Sequence, residues 1–133
     1  PKFPNVTKNL IDSYKLHGKS QLSVLQVSMD EVTKYGILMP GQDEGSVIGI
    51  VEKPRKEDAP SNFASIGRYL LTPEIFNILR NLEPGRNNEI QLVDAIHIIA
   101  QSGTVASTKL DGERFDCGSV EGYLQALDRM KEF

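Results

Sequence analysis

The sequence predicts an α/β fold: a mixed sheet, mostly of parallel type, with helical cover. Three observations predict it. Helical and strand-like periodicities alternate along the chain in the order α-β-ββ-β-α-α-β-β-α. At least one pair of strands is joined by a turn short enough to demand a hairpin. Helical stretches separate other strands, as crossover connections require. The chain has 133 residues, the length of one domain or part of one. No repeat, low-complexity tract or linker divides it, so residues 1–133 read as a single, partial domain.

Residues 5–17 carry Val6, Leu10, Ile11 and Tyr14 at helical spacing, with Gly18 as the stop. Residues 22–28 are apolar at most positions and read as a strand covered on both sides. YGILM (35–39) and VIGIVE (47–52), joined by the turn-forming GQDEG (41–45), read as a hairpin. A polar loop, 53–62, precedes the strand 63–71. Thr72 reads as the cap of a helix with Pro73 and Glu74 in its first turn, burying Ile75, Ile78, Leu79 and Leu82. After the loop 84–88, Asn88 with Gln91 resembles a capping box. The helix it would open buries Leu92, Val93, Ile96 and Ile99 and stops at Gly103. A strand over 104–110, a turn at 111–113 and a short strand at 114–116 follow. Ser119 caps a last helix, predicted to bury Val120, Tyr123, Leu124, Leu127 and Met130.

Composition narrows the function. The chain is 39% hydrophobic and 25% charged, with a net charge of −3. No global basic field argues for a nucleic-acid partner. No apolar run approaches the roughly 20 residues that span a bilayer, so no membrane partner is expected. The one cysteine, Cys117, cannot form an internal disulfide and reads as a packing residue. A reducing cytoplasm fits that usage. The opening Pro1–Pro4, without a Met, reads like a mid-chain loop and makes a truncated chain the expectation.

Four segments in order carry a family resemblance: EVTKYGIL (31–38), GIVEKP (49–54), APSNFASIGRYLL (59–71) with NNEIQLVDAI (87–96), and FDCGS (115–119). Each alone is weak, but the ordered set spans most of the chain. It resembles the sugar nucleotidyltransferases, and within them the bacterial UTP–glucose-1-phosphate uridylyltransferase branch. The resemblance implies the C-terminal, sugar-phosphate-binding part of a Rossmann-like nucleotidyltransferase fold. It also implies glucose 1-phosphate and UTP as substrates, Mg²⁺ as cofactor, and a homo-oligomer.

The chemistry of such a ligand can be set against the residues. Sugar hydroxyls need a carboxylate or backbone groups, and a phosphate needs a cation. Glu52 and Lys53 offer both at the end of one strand. By resemblance the Glu binds glucose hydroxyls and the Lys binds the phosphate. Read alone, the pair is also ordinary solvated surface. By resemblance Tyr35-Gly36 contributes backbone to the sugar site, and Gly67 lies near the sugar. Either glycine could instead mark a kink or bulge. Arg68 reads as an exposed strand residue rather than a ligand cation.

Asp116 is implied as a Mg²⁺ ligand, with Gly118 and Ser119 offering N–H groups to a phosphate. D-C-G-S is equally a turn and helix cap. Many relatives carry Asn or Thr where this chain has Ser119. Glu89 is a looser candidate for the sugar pocket, and Val93 stands where the family often has Thr. His17 and His97 lack ligand-like partners. Lys53 and Asp116 are thus the catalytic candidates; Tyr35, Gly36, Glu52, Lys53, Gly67 and Glu89 are the substrate-binding ones.

The family's glycine-rich loop with Thr-Arg, its downstream Pro-Lys and its first metal aspartate find no match in residues 1–133. The expectation is a chain inactive by itself. A stand-alone sugar-phosphate-binding or regulatory module, or a thymidylyl or cytidylyl relative, are the alternatives.

Overall fold

The computed structural model describes residues 5–110 and 112–132. Helix α1 (Val6–His17) starts where the Asn5 side chain accepts from the Lys8 N–H, and it ends at Gly18, whose φ is 66°. Asn relieves an orphan N–H at the start, and glycine enters the left-handed region without steric cost. Strand β1 (Ser20–Gln26) is buried along most of its length. Strands β2 (Gly36–Pro40) and β3 (Ser46–Glu52) form the expected antiparallel hairpin. Strand β4 (Phe63–Leu70), helices α2 (Ile75–Asn81) and α3 (Leu92–Gln101), strand β5 (Val105–Lys109) and helix α4 (Val120–Met130) follow.

The strands close on themselves in the order β1-β4-β2-β3-β5. The sheet is mixed, as predicted, but it is not mostly parallel. Only β1 and β5 run parallel; β1–β4, β2–β3, β2–β4 and β3–β5 are antiparallel. A parallel neighbour needs a long crossover. Here only the path from β1 to β5, which includes two helices, returns a strand in the same direction to an adjacent place.

Helix α3 covers this sheet. Its Ala95, Ile96, Ile99 and Ala100 are buried in one cluster with Leu38, Val47 and Ile50. Burial of Ile96 alone, at 0% exposure, contributes roughly 1.5–3 kcal/mol. The contact is tight at Gly49 on β3, where a Cβ would lie 2.9 Å from His97 Cε1. His97 is structural, with Nδ1 3.1 Å from the Ile50 N–H nitrogen and 3.0 Å from the Ile50 carbonyl oxygen.

Several expectations are corrected. Thr72 does not cap α2, because its N–H donates to Ser20 Oγ at 3.0 Å and its hydroxyl faces the same oxygen. A turn intervenes and the helix starts at Ile75. Asn88 does not cap α3. Asn87 and Asn88 are left-handed, with φ of 60° and 57°, whereas an N-cap is typically extended. The helix starts after Gln91 without a side-chain cap, and Leu92 remains exposed at its first turn.

Residues 114–116 form no strand. The closed sheet has no free edge for them to join. The predicted turn at 111–113 includes Asp111, which lies outside the described residues, as does the Pro1–Pro4 loop.

Helix α4 differs most from its sequence expectation. Its cap is as predicted, with Ser119 Oγ accepting from the Gly122 N–H. Its apolar stripe is not buried, however. Val120 is 79% exposed and Met130 62%, and Tyr123, Leu124 and Leu127 are exposed too. No helix or strand of the described residues packs extensively against this face.

Candidate functional site

The pairing of β2 with β3 places Gly36 directly opposite Glu52, at the end of the hairpin away from its turn. A Cβ at Gly36 would lie 3.0 Å from both Glu52 Oε2 and Ile50 Cδ1. The glycine therefore leaves room for the carboxylate. One residue on, the Lys53 N–H donates to the Tyr35 carbonyl at 3.0 Å and ends the ladder. Lys53 itself has φ 45°, a conformation that costs a non-glycine residue about 1–2 kcal/mol. Such strain is characteristic of functional positions.

The third wall comes from β4. Between Leu22 and Val24 on β1 the partners on β4 jump from Tyr69 to Ser65, so β4 bulges at Ile66–Arg68. Gly67 sits in that bulge with φ 74°. A Cβ there would meet nothing within 4 Å, so the glycine is required by backbone conformation and not by space. Gly67 thus marks a bulge, and it lines a cleft.

These pieces enclose a cleft of about 270 Å³, whose walls include Tyr35, Gly36, Glu52, Gly67 and Arg114. Small-molecule sites are typically about 300–1,000 Å³, so this cleft suits a ligand of monosaccharide size. Ser65 and Tyr69 also line it and are hydrogen-bonded to each other at 3.0 Å. Val93 of α3 supplies apolar wall. A larger cavity of about 730 Å³ lies at the turn of the hairpin. Asp43 and Glu44 are among its walls, with Lys109 and His17, and none of the predicted site residues reaches it.

Of the predicted substrate-binding residues, Tyr35, Gly36, Glu52 and Gly67 meet in the smaller cleft. Lys53 is exposed at its margin in sequence but is not among the lining residues. Glu89 is not brought in. It lies in the loop before α3, where its carbonyl accepts from the Gly85 N–H at 3.0 Å. Arg68 turns to α1, donating to Thr7 Oγ1 at 3.0 Å.

Asp116 is exposed and also outside the lining. Its Oδ1 accepts from the Gly118 N–H at 3.1 Å, and its carbonyl accepts from the Ser119 N–H at 3.2 Å. The N–H groups expected to await a phosphate are thus turned onto Asp116 itself. Gly122 makes that turn possible, since a Cβ there would lie 2.1 Å from the Asp116 carbonyl oxygen. Cys117, predicted to pack, is exposed because it occupies the tip of this turn.

Arg114 is the cleft residue that sequence reasoning missed. Its Nη1 donates to Tyr35 Oη at 3.2 Å, and its guanidinium carbon lies 5.3 Å from the centroid of the Tyr35 ring. Its position two residues before Asp116 was the available signal.

One carboxylate, Asp116, is what the predicted set offers a metal. Among the described residues no group of three or more His, Cys, Asp or Glu side chains could hold an ion. Mg²⁺ commonly takes one or two carboxylates and completes its shell with water and phosphate oxygens, so a single aspartate is a fitting share. No helix among the described residues is long and apolar enough to cross a membrane.

Comparison with known proteins gives this geometry a setting. The chain is 44% identical over 127 residues to a UTP–glucose-1-phosphate uridylyltransferase of Pseudomonas aeruginosa, a match covering 93% of this chain and 46% of that protein. It is 46% identical over 125 residues to the like-named protein of Streptococcus pneumoniae, covering 90% of this chain and 42% of that one. A solved UDP-glucose pyrophosphorylase complexed with UDP-glucose superposes with a TM-score of 0.88 at 41% identity, over 99% of this chain and 51% of that one. The chain thus spans about half the length of the relatives it matches. The nucleotidyl transferase family profile matches residues 5–132, and the chain belongs to that family.

Proposed function

We propose that the chain is the C-terminal, sugar-phosphate-binding part of a UTP–glucose-1-phosphate uridylyltransferase. The observation that carries this reading is the meeting of Gly36, Glu52 and Gly67, from three strands, with Tyr35, the residue before β2, in one monosaccharide-sized cleft. In the proposed reaction an oxygen of glucose 1-phosphate attacks the α-phosphorus of UTP, giving UDP-glucose and pyrophosphate.

Glu52 accepts hydrogen bonds from sugar hydroxyls, and the bare backbone at Gly36 and Gly67 lets the ring come close. Lys53, at the strained exit of β3, is the point charge beside the attacking phosphate oxygen of glucose 1-phosphate. Asp116 would hold Mg²⁺, which when bound neutralises charge developing on the phosphates. No protein nucleophile is needed, since positioning and charge neutralisation are the main means of catalysis in such transfers. Taken alone, these 133 residues are expected to lack transferase activity, because no triphosphate-binding glycine-rich loop occurs among them. The cytoplasmic expectation goes with this reading.

The names of the relatives favour uridylyl over thymidylyl or cytidylyl transfer, and their identity of more than two residues in five favours an enzyme part over an independent binding module. Calorimetric titration of α-D-glucose 1-phosphate into the chain, with and without Glu52→Gln, tests the site. Binding that Glu52→Gln weakens at least about tenfold is expected, the worth of a hydrogen bond to a charged group. Equal binding by both forms, or none by the unaltered chain, would remove Glu52 from the sugar site.

A further inference from the structure

We infer that Arg114 is a second cation for the phosphate of the ligand in this cleft, besides Lys53, with the Tyr35 ring as its platform. The inference rests on the sugar-phosphate reading above and names a further residue that recognises the charged end. Lys53 stands at the edge of the cleft, directly after Glu52, whereas Arg114 is part of the lining itself.

Four observations converge on Arg114. It stands in the cleft wall with Glu52, the one carboxylate among the lining residues. It forms no ion pair among the described residues, unlike Lys34, Arg55, Lys56 and Lys131. Its position is fixed by two contacts with one side chain: the 3.2 Å hydrogen bond to Tyr35 Oη and the approach of its guanidinium to the ring. Those contacts use a single N–H and leave the remaining donors of a planar fork free.

An unpaired guanidinium in a pocket is suited to a phosphate. Its fork matches two phosphate oxygens at once, and the charge-assisted bonds are about twice as strong as neutral ones. Stacking on an aromatic face orients the group in advance, so less freedom is lost when the ligand arrives. The other lining cation, Lys34, lies 3.8 Å from Glu31 and has part of its charge answered there. The cleft therefore has two chemical ends. Glu52 reads hydroxyls, and Arg114 reads the anion. Tyr35 joins them, since its carbonyl receives the Lys53 N–H beside Glu52 while its ring carries Arg114.

The test compares three probes, α-D-glucose 1-phosphate, glucose and inorganic phosphate, titrated into the 133-residue chain and its Arg114→Gln, Arg114→Lys and Glu52→Gln variants. Arg114→Gln is expected to weaken glucose 1-phosphate and inorganic phosphate at least about tenfold and to leave glucose unchanged. Arg114→Lys, which keeps charge without the fork, is expected to recover only part of the loss. Tyr35→Phe removes the hydroxyl acceptor and keeps the ring, so a smaller loss is expected. Circular dichroism of each variant separates loss of binding from loss of fold, and Arg114→Lys serves should Arg114→Gln not fold. Unchanged phosphate affinity in Arg114→Gln, while Glu52→Gln weakens the sugar, would overturn the role of Arg114 and leave the cleft standing. Absence of glucose 1-phosphate binding by the unaltered chain would overturn both.

Discussion

At Gly36 the missing side chain leaves space for a carboxylate, since a Cβ would stand 3.0 Å from Glu52 Oε2 and from Ile50 Cδ1. An added methyl must displace one of them. Ile50 is buried in the core and the Glu52 side chain is not, so the carboxylate moves. Gly36→Ala is therefore expected to cost about 1–3 kcal/mol or less in stability while weakening glucose 1-phosphate binding more than an equal change elsewhere in β2. Paired melts and titrations measure the two effects. A large fall in melting temperature with unchanged affinity would mean that Gly36 serves packing alone. Gly67 is the opposite case, constrained by its φ of 74° with open space around it. Sequence reading could flag both glycines. It could not say which was held by a neighbour and which by its own backbone, because that depends on the pairing register and on a bulge. Nor could it find the left-handed Lys53, whose residue type gives no signal for positive φ.

Among the elements, α1 and the β2–β3 hairpin were legible because their signals are local: apolar residues at helical spacing before a terminal glycine, and two apolar runs around a turn. The starts of α2 and α3 were not. Thr72 and Asn88 are good capping residues that tertiary partners and backbone conformation use otherwise. Helix α4 illustrates both halves of this lesson. Its cap was local and readable, whereas the partner of its apolar face was not. The turn before it fixes Asp116 through Gly118, Ser119 and Gly122. Ser119→Ala removes the acceptor for the Gly122 N–H and is expected to destabilise by about 0.5–2 kcal/mol, read as a lower melting temperature. No change would mean that α4 frays independently of the folded body.

For the molecule as a whole, the site is built at one end of a closed sheet while an amphipathic helix leaves a stripe of apolar side chains uncovered. Exposed apolar patches of this kind mark association surfaces. Self-association of the 133-residue chain is expected, with sedimentation equilibrium giving a mass that rises with concentration and Leu124→Lys suppressing the rise. A monomer at all concentrations would contradict it. The sheet class shows what global closure hides from a sequence: each strand was found, but their direction depends on which neighbours meet, and the single parallel pair lies farthest apart in the chain.

The proposed role of residues 5–132 as the sugar-phosphate part of a uridylyltransferase is tested most directly by a chimera in which they replace the matching stretch of the Pseudomonas aeruginosa relative, to which they are 44% identical. The chimera is expected to form UDP-glucose from UTP and glucose 1-phosphate, with the rate falling sharply in the Asp116→Ala form. A folded chimera that forms no UDP-glucose, or one indifferent to Asp116→Ala, would contradict it.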